Sequence, residues 1–227
     1  MKLLKAAWVP YVAPMVVYLG LNAVEGVLPK VGGQPHPAWY PLVYGLKVVA
    51  TALTAWLCRS TWRDLRPLPG VGGWILGIGL GVAVAAMWVA IDPYYPRTSW
   101  LGSRSAYDPS TLPHGRKLAF EAVRLIGLVL VVPPIEELFW RSFLMRWIID
   151  EDFAAVPVGR VTRNGALATS VLFALAHPEW LAALLTGLAW AWLLWRTRSL
   201  AACAASHVAA NLSLGIYVLL TGEWRFL

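Results

Sequence analysis

Apolar residues run for about the length of a bilayer core, stop at short polar or Gly/Pro-rich turns, and resume along nearly the whole chain. About 20 apolar residues at about 1.5 Å rise cross a hydrocarbon slab about 30 Å thick. Runs 6–28, 38–58, 71–91, 118–149 and 200–220 reach that length, whereas 165–177 and 181–195 are shorter and turn around His177-Pro-Glu-Trp180. The pattern predicts an all-α, polytopic membrane helix bundle of about seven spans, with the two short runs forming a helical hairpin. No internal repeat interrupts this reading.

Within the runs, individual residues refine the picture. Run 6–28 has no small-residue cleavage site after a short core, so it reads as a retained first span carrying Pro10, Pro14, Asn22 and Glu25. Glu25 is read as interfacial, and Lys47, midway along the second run, can snorkel or pair with it. Gly72, Gly73, Gly77, Gly79 and Gly81 in the third run allow close helix approach. The polar stretch 92–117 lacks helical or strand periodicity and is expected to be an ordered loop or a lid, and 150–164 is a second loop. Residues 118–149 exceed the thickness of a bilayer core, and Pro133-Pro134 predict a kink just before Glu136, with carbonyls one turn earlier left without partners.

Composition supports a membrane class. Of the 227 residues, 59% are hydrophobic and 14% charged, too apolar for an ordinary soluble domain. Several of the 14 tryptophans flank apolar runs, as rings at the headgroup level do. The net charge of +7 is spread over connections rather than one face, which argues against nucleic acid as a partner. Counted by connection, Lys and Arg favour a cell-membrane protein with a cytoplasmic amino terminus; Lys2, Lys5, Arg97 and Arg104 enter that count. Cys58 and Cys203 have neither disulfide-framework nor metal-knot spacing. One integral membrane domain, 1–227, accounts for the chain.

The candidate chemistry lies in the motif helix, where Val132-Val-Pro-Pro-Ile-Glu-Glu-Leu-Phe-Trp-Arg141 places two carboxylates and an arginine in an apolar run. An ionised carboxylate there costs at least about 2.5 kcal/mol, so such residues mark function by default. Glu137 and Arg141, four apart, share a helix face and form a pair; Glu136 projects about 100° away and is left to hold a proton or a water. Counted from the expected cytoplasmic ends at about 1.5 Å per residue, Glu136, His177 and Asn211 lie about 18–20 Å deep and His207 about 12 Å. His207 and Asn211, at i and i+4, can both donate to one oxygen, and Phe173 backs His177 at the same spacing.

Glu136-Glu-Leu-Phe-Trp-Arg141, Phe173-Ala-Leu-Ala-His177 and His207-Val-Ala-Ala-Asn211 resemble, in order, the three motifs of the CAAX-protease and bacteriocin-processing (Abi-type) family of intramembrane proteases, similar to type II CAAX prenyl endopeptidases. The resemblance implies a catalytic helix core, 118–220, behind a variable set of spans, 1–117. It implies an intramembrane endopeptidase in which Glu136 and His177 activate a water and His207 and Asn211 stabilise the oxyanion. Glu137, Arg141 and Phe173 would support them. A membrane protein or lipidated peptide is the implied substrate. The family allows a zinc version with Glu136, His177 and His207 as ligands, but a metal-independent Glu/His site is favoured and no cofactor is expected. The alternatives are a non-catalytic membrane binding or immunity factor of the same fold, and a proton-coupled transporter.

Overall fold

Proline at its second position starts α1 (Val9–Gly26), where a missing N–H leaves no bond unmade. A short hairpin, β1 (Lys30–Val31) with β2 (Gln34–Pro35), turns the chain into α2 (Tyr40–Leu57). The computed structural model describes residues 6–96 and 107–226, so Lys2, Lys5, Arg97, Arg104 and the middle of the 92–117 stretch lie outside the described residues. Helices α3 (Val71–Ile91), α4 (His114–Ile149), α5 (Arg163–Leu175), α6 (Trp180–Thr197) and α7 (Leu200–Thr221) complete the bundle. The all-α architecture agrees with the apolar pattern, and α5 and α6 form the short hairpin around His177–Trp180.

By length and composition, four helices can cross a membrane: α2, α3 with its extension to Tyr94, α4 and α7. The outward faces suit that solvent. Leu42, Leu46, Val49 and Leu53 are all exposed, and their spacing draws an apolar stripe along α2. The chain is a membrane protein.

Helix α4 does not break at its prolines. It widens into π-helical turns at Gly127–Val131 and Leu138–Leu144, on either side of an α-helical segment Val132–Glu137 that holds both prolines and both carboxylates. Two changes of helical register thus flank the prolines where the sequence predicts a kink, and such π-helical turns are common near functional sites. Val132 N–H bonds the Gly127 carbonyl, and in that register the next carbonyl, Leu128, would need an N–H from Pro133, which has none. The Asn211 side chain of α7 takes its place, Nδ2 donating to Leu128 O at 2.7 Å.

Two further contacts set the bundle. Of the third-run glycines, Gly77 and Gly81 face α7, where an added Cβ would meet the Ala202 and Ser206 carbonyls; Gly72 and Gly79 have open space beside them. Their spacing of four presses α3 against the segment that carries His207. At the Arg-rich end of the bundle, Asp64 Oδ2 accepts from Tyr11 Oη at 2.7 Å, Ser142 Oγ at 2.5 Å and Arg146 Nη2 at 2.9 Å. Arg146 also donates to the Val156 carbonyl at 3.1 Å. That buried hub joins α1, the 59–65 turn, α4 and the 150–162 loop.

Candidate active site

Glu136, His177, His207 and Asn211 line one cavity of about 320 Å³, reached from α4, the end of α5 and α7. Glu136 and His207 are each 5% exposed. Proline placement and the register changes of α4 present Glu136 to this space from the α-helical segment Val132–Glu137. His177 follows the last turn of α5, where its Nδ1 lies 2.7 Å from the Phe173 carbonyl. A carbonyl only accepts, so Nδ1 carries hydrogen and neutral His177 keeps its lone pair on Nε2. Phe173 therefore supports His177 twice, by its carbonyl and by its ring, 4.4 Å away between centroids. Trp88 of α3 meets the same imidazole edge-on at 6.2 Å.

Glu137, fully buried, pairs with Arg141 Nη1 at 3.2 Å, the i,i+4 relation expected from the sequence. It also lies 3.0 Å from His207 Nδ1 through the same Oε1. The sequence assignment of Glu137 to Arg141 alone is thus too narrow: this carboxylate joins the arginine to the imidazole of α7. An ionised carboxylate is acceptor-only, so His207 also carries hydrogen on Nδ1. Asn211, with one amide hydrogen on Leu128 O, retains a second hydrogen and its carbonyl oxygen.

Aromatic rings hold these charges in place. The Arg141 guanidinium lies 4.8 Å from the Phe173 ring and 5.0 Å from the Trp190 ring. Trp190 stacks on His207 with centroids 4.3 Å apart and donates Nε1–H to Ser206 Oγ at 3.0 Å. Sequence reasoning missed Trp190. It lies inside rather than at the end of an apolar run, a position where a ring with a polar edge calls for a buried partner.

The reading of Glu25 as interfacial is corrected. Glu25 is 8% exposed; Lys47 Nζ donates to its Oε2 at 2.9 Å and to Asn22 Oδ1 at 2.7 Å, and lies 2.9 Å from Glu25 Oε1 as an ion pair. Asn22, Glu25, Lys47 and Arg124 line the same cavity as the motif residues. Lys47 pairs rather than snorkels because two helices of the bundle close over it; Tyr44 sits 4.2 Å below the ammonium. Beyond the membrane helices, burial pushes the Tyr107 phenol above its ordinary value, and the Tyr107 carbonyl accepts from Arg124 at 3.1 Å.

Among the described residues, no three His, Cys, Asp or Glu side chains are gathered closely enough to hold a metal ion. Glu136, His177 and His207, as placed, do not fit a three-ligand zinc site.

Residues 118–213 match the family model described as type II CAAX prenyl endopeptidase Rce1-like, a segment that contains all three motifs. No curated protein and no solved structure matches the chain.

Proposed function

We propose, from the match of residues 118–213 to the Rce1-like type II CAAX prenyl endopeptidase model, that this membrane protein is an intramembrane endopeptidase whose water is activated by Glu136 and His177. The observation that carries the reading is the convergence of Glu136, His177, His207 and Asn211 from three separate helices on one cavity within the bundle.

In this reading a water stands between the Glu136 carboxylate and His177 Nε2. Glu136 takes one proton as the water oxygen attacks the scissile carbonyl carbon. The tetrahedral oxyanion receives the second amide hydrogen of Asn211 and an Nε2–H of His207. His207 can donate there only as an imidazolium, because its Nδ1 hydrogen is committed to Glu137. Glu137 is then the fixed anion that compensates the imidazolium, with Arg141 holding the carboxylate in place. Glu136 next delivers its proton to the leaving amine nitrogen as the C–N bond breaks, which restores the ionised carboxylate. The apolar surroundings strengthen each of these donors relative to water.

The substrate is a peptide segment of a membrane or lipidated protein, reached within the bilayer. Glu136→Gln, which keeps shape and removes the base, is expected to abolish cleavage of susceptible proteins while leaving membrane insertion intact. The assay is a comparison of cleaved membrane proteins in cells carrying either form. Full activity in Glu136→Gln would overturn the proposal. Activity lost on chelation and restored by zinc would overturn its metal-independent form.

A further inference from the structure

Phe226 lines the same cavity at 3% exposure, although its neighbours Gly222, Glu223 and Arg225 are exposed. Helix α7 ends at Gly222, whose φ of 75° turns the chain back, and Trp224–Phe226 forms one tight helical turn. Two contacts hold this segment, one at the exposed side and one inside the bundle. Arg225 Nη1 meets Asp92 Oδ2 at 2.8 Å, with the arginine side chain 49% exposed, and the Trp224 ring lies 5.8 Å from the buried Arg124 guanidinium. Inside, the Phe226 ring meets Tyr217 edge-on at 5.8 Å. Asp92 belongs to the end of α3, whose extension is tied by the Pro96 carbonyl to Trp180 Nε1 at 3.0 Å, three residues beyond His177.

We propose that residues 222–226 are a strap that gates the cavity: Phe226 closes part of its wall, and release of the Arg225–Asp92 pair withdraws the ring and admits substrate. The geometry divides the segment into an exposed latch and a buried plug one residue apart. The pair joins a half-exposed guanidinium to a buried carboxylate and biases the closed state. Arg225 Nε also donates to Glu223 Oε2 at 2.9 Å, so the arginine keeps a partner within the strap when it leaves Asp92. The aromatic plug excludes water from Glu136 and His177 until the strap lifts. Gating of the cavity stands on this geometry alone; its effect on cleavage rests on the protease reading above.

The test places a reporter thiol in the cavity wall, Thr186→Cys in a Cys58→Ser background, and measures its labelling by a small methanethiosulfonate reagent in the full-length protein. Adding Arg225→Ala should speed labelling by about fivefold or more, since it removes an ion pair whose cation is half-exposed, and Arg225→Lys should return it to near the starting rate. Phe226→Ala, with Arg225 intact, should also speed it. Equal rates in all four proteins would overturn the gate, as would failure of Arg225→Lys to restore protection. The same substitutions without the reporter should lower KM for cleavage more than they change kcat. Faster labelling in a protein that cleaves nothing, wild type included, would retain the gate and overturn the protease reading.

Discussion

His207 Nδ1 and Glu137 Oε1 lie 3.0 Å apart across the α4–α7 interface, so the second carboxylate of the motif orients the imidazole 70 residues away as well as pairing with Arg141. Glu137→Gln keeps the volume and removes the charge that an imidazolium needs beside it. Its kcat should fall by about 10–100-fold with little change in KM, a loss typical of a supporting partner. Steady-state kinetics in detergent or vesicles measure this; an unchanged kcat would detach His207 from the oxyanion.

Arg141 is held by one carboxylate and two rings, which makes its replacements informative. Arg141→Ala leaves Glu137 buried beside His207 without its cation and should destabilise the protein by about 3–5 kcal/mol. Arg141→Lys retains the charge but loses the guanidinium's contacts with the Phe173 and Trp190 rings, and should fall between wild type and alanine. Thermal unfolding in a fixed detergent ranks the three.

Asn211 and Pro133 should be coupled, although their side chains belong to different helices. Asn211→Ala strands the Leu128 carbonyl and should cost about 1–3 kcal/mol. In a Pro133→Ala background residue 133 regains an N–H that can answer Leu128, so the same Asn211→Ala change should cost less. The double-mutant cycle is read from unfolding midpoints. Activity should stay lost in both Asn211→Ala proteins, because the amide is absent from each.

Glu25 and Lys47 should behave as a buried pair. Lys47→Met alone leaves Glu25 uncompensated and should cost about 3–5 kcal/mol, whereas Glu25→Gln combined with Lys47→Met should recover most of that loss. Equal stability of the single and double variants, by the same unfolding assay, would show that the pair contributes nothing.

Local spacing made some of this site legible. A separation of four positions puts Glu137 and Arg141 on one helix face, and the same separation brings the Phe173 ring and the His177 imidazole together. What spacing could not supply is the rotation of one helix against another. The Glu137–His207 bond, the stacking of Trp190 on His207 and the Asn211–Leu128 bond each depend on how α4, α6 and α7 face one another. The prolines were read correctly as removing donors, but a straight-helix picture converts that into a kink. Two π-helical turns flank the prolines, and they alter which carbonyl is left over. Glu25 was misjudged because its position near the end of an apolar run suggested water, while the neighbouring α2 in fact covers it.

The hub at Asp64 bears on how the chain is put together. Arg146 is a cation at the buried end of the motif helix, and its compensating carboxylate lies 82 residues earlier, in a turn that also anchors Tyr11. Synthesis from the amino terminus presents that acceptor before the arginine leaves the ribosome. The early helices thus serve as a docking template for the later ones, and a graft that replaces residues 1–117 needs an acid at the position of Asp64. Without it, the incoming motif helix would have to bring its charge into the bundle with no counter-ion waiting.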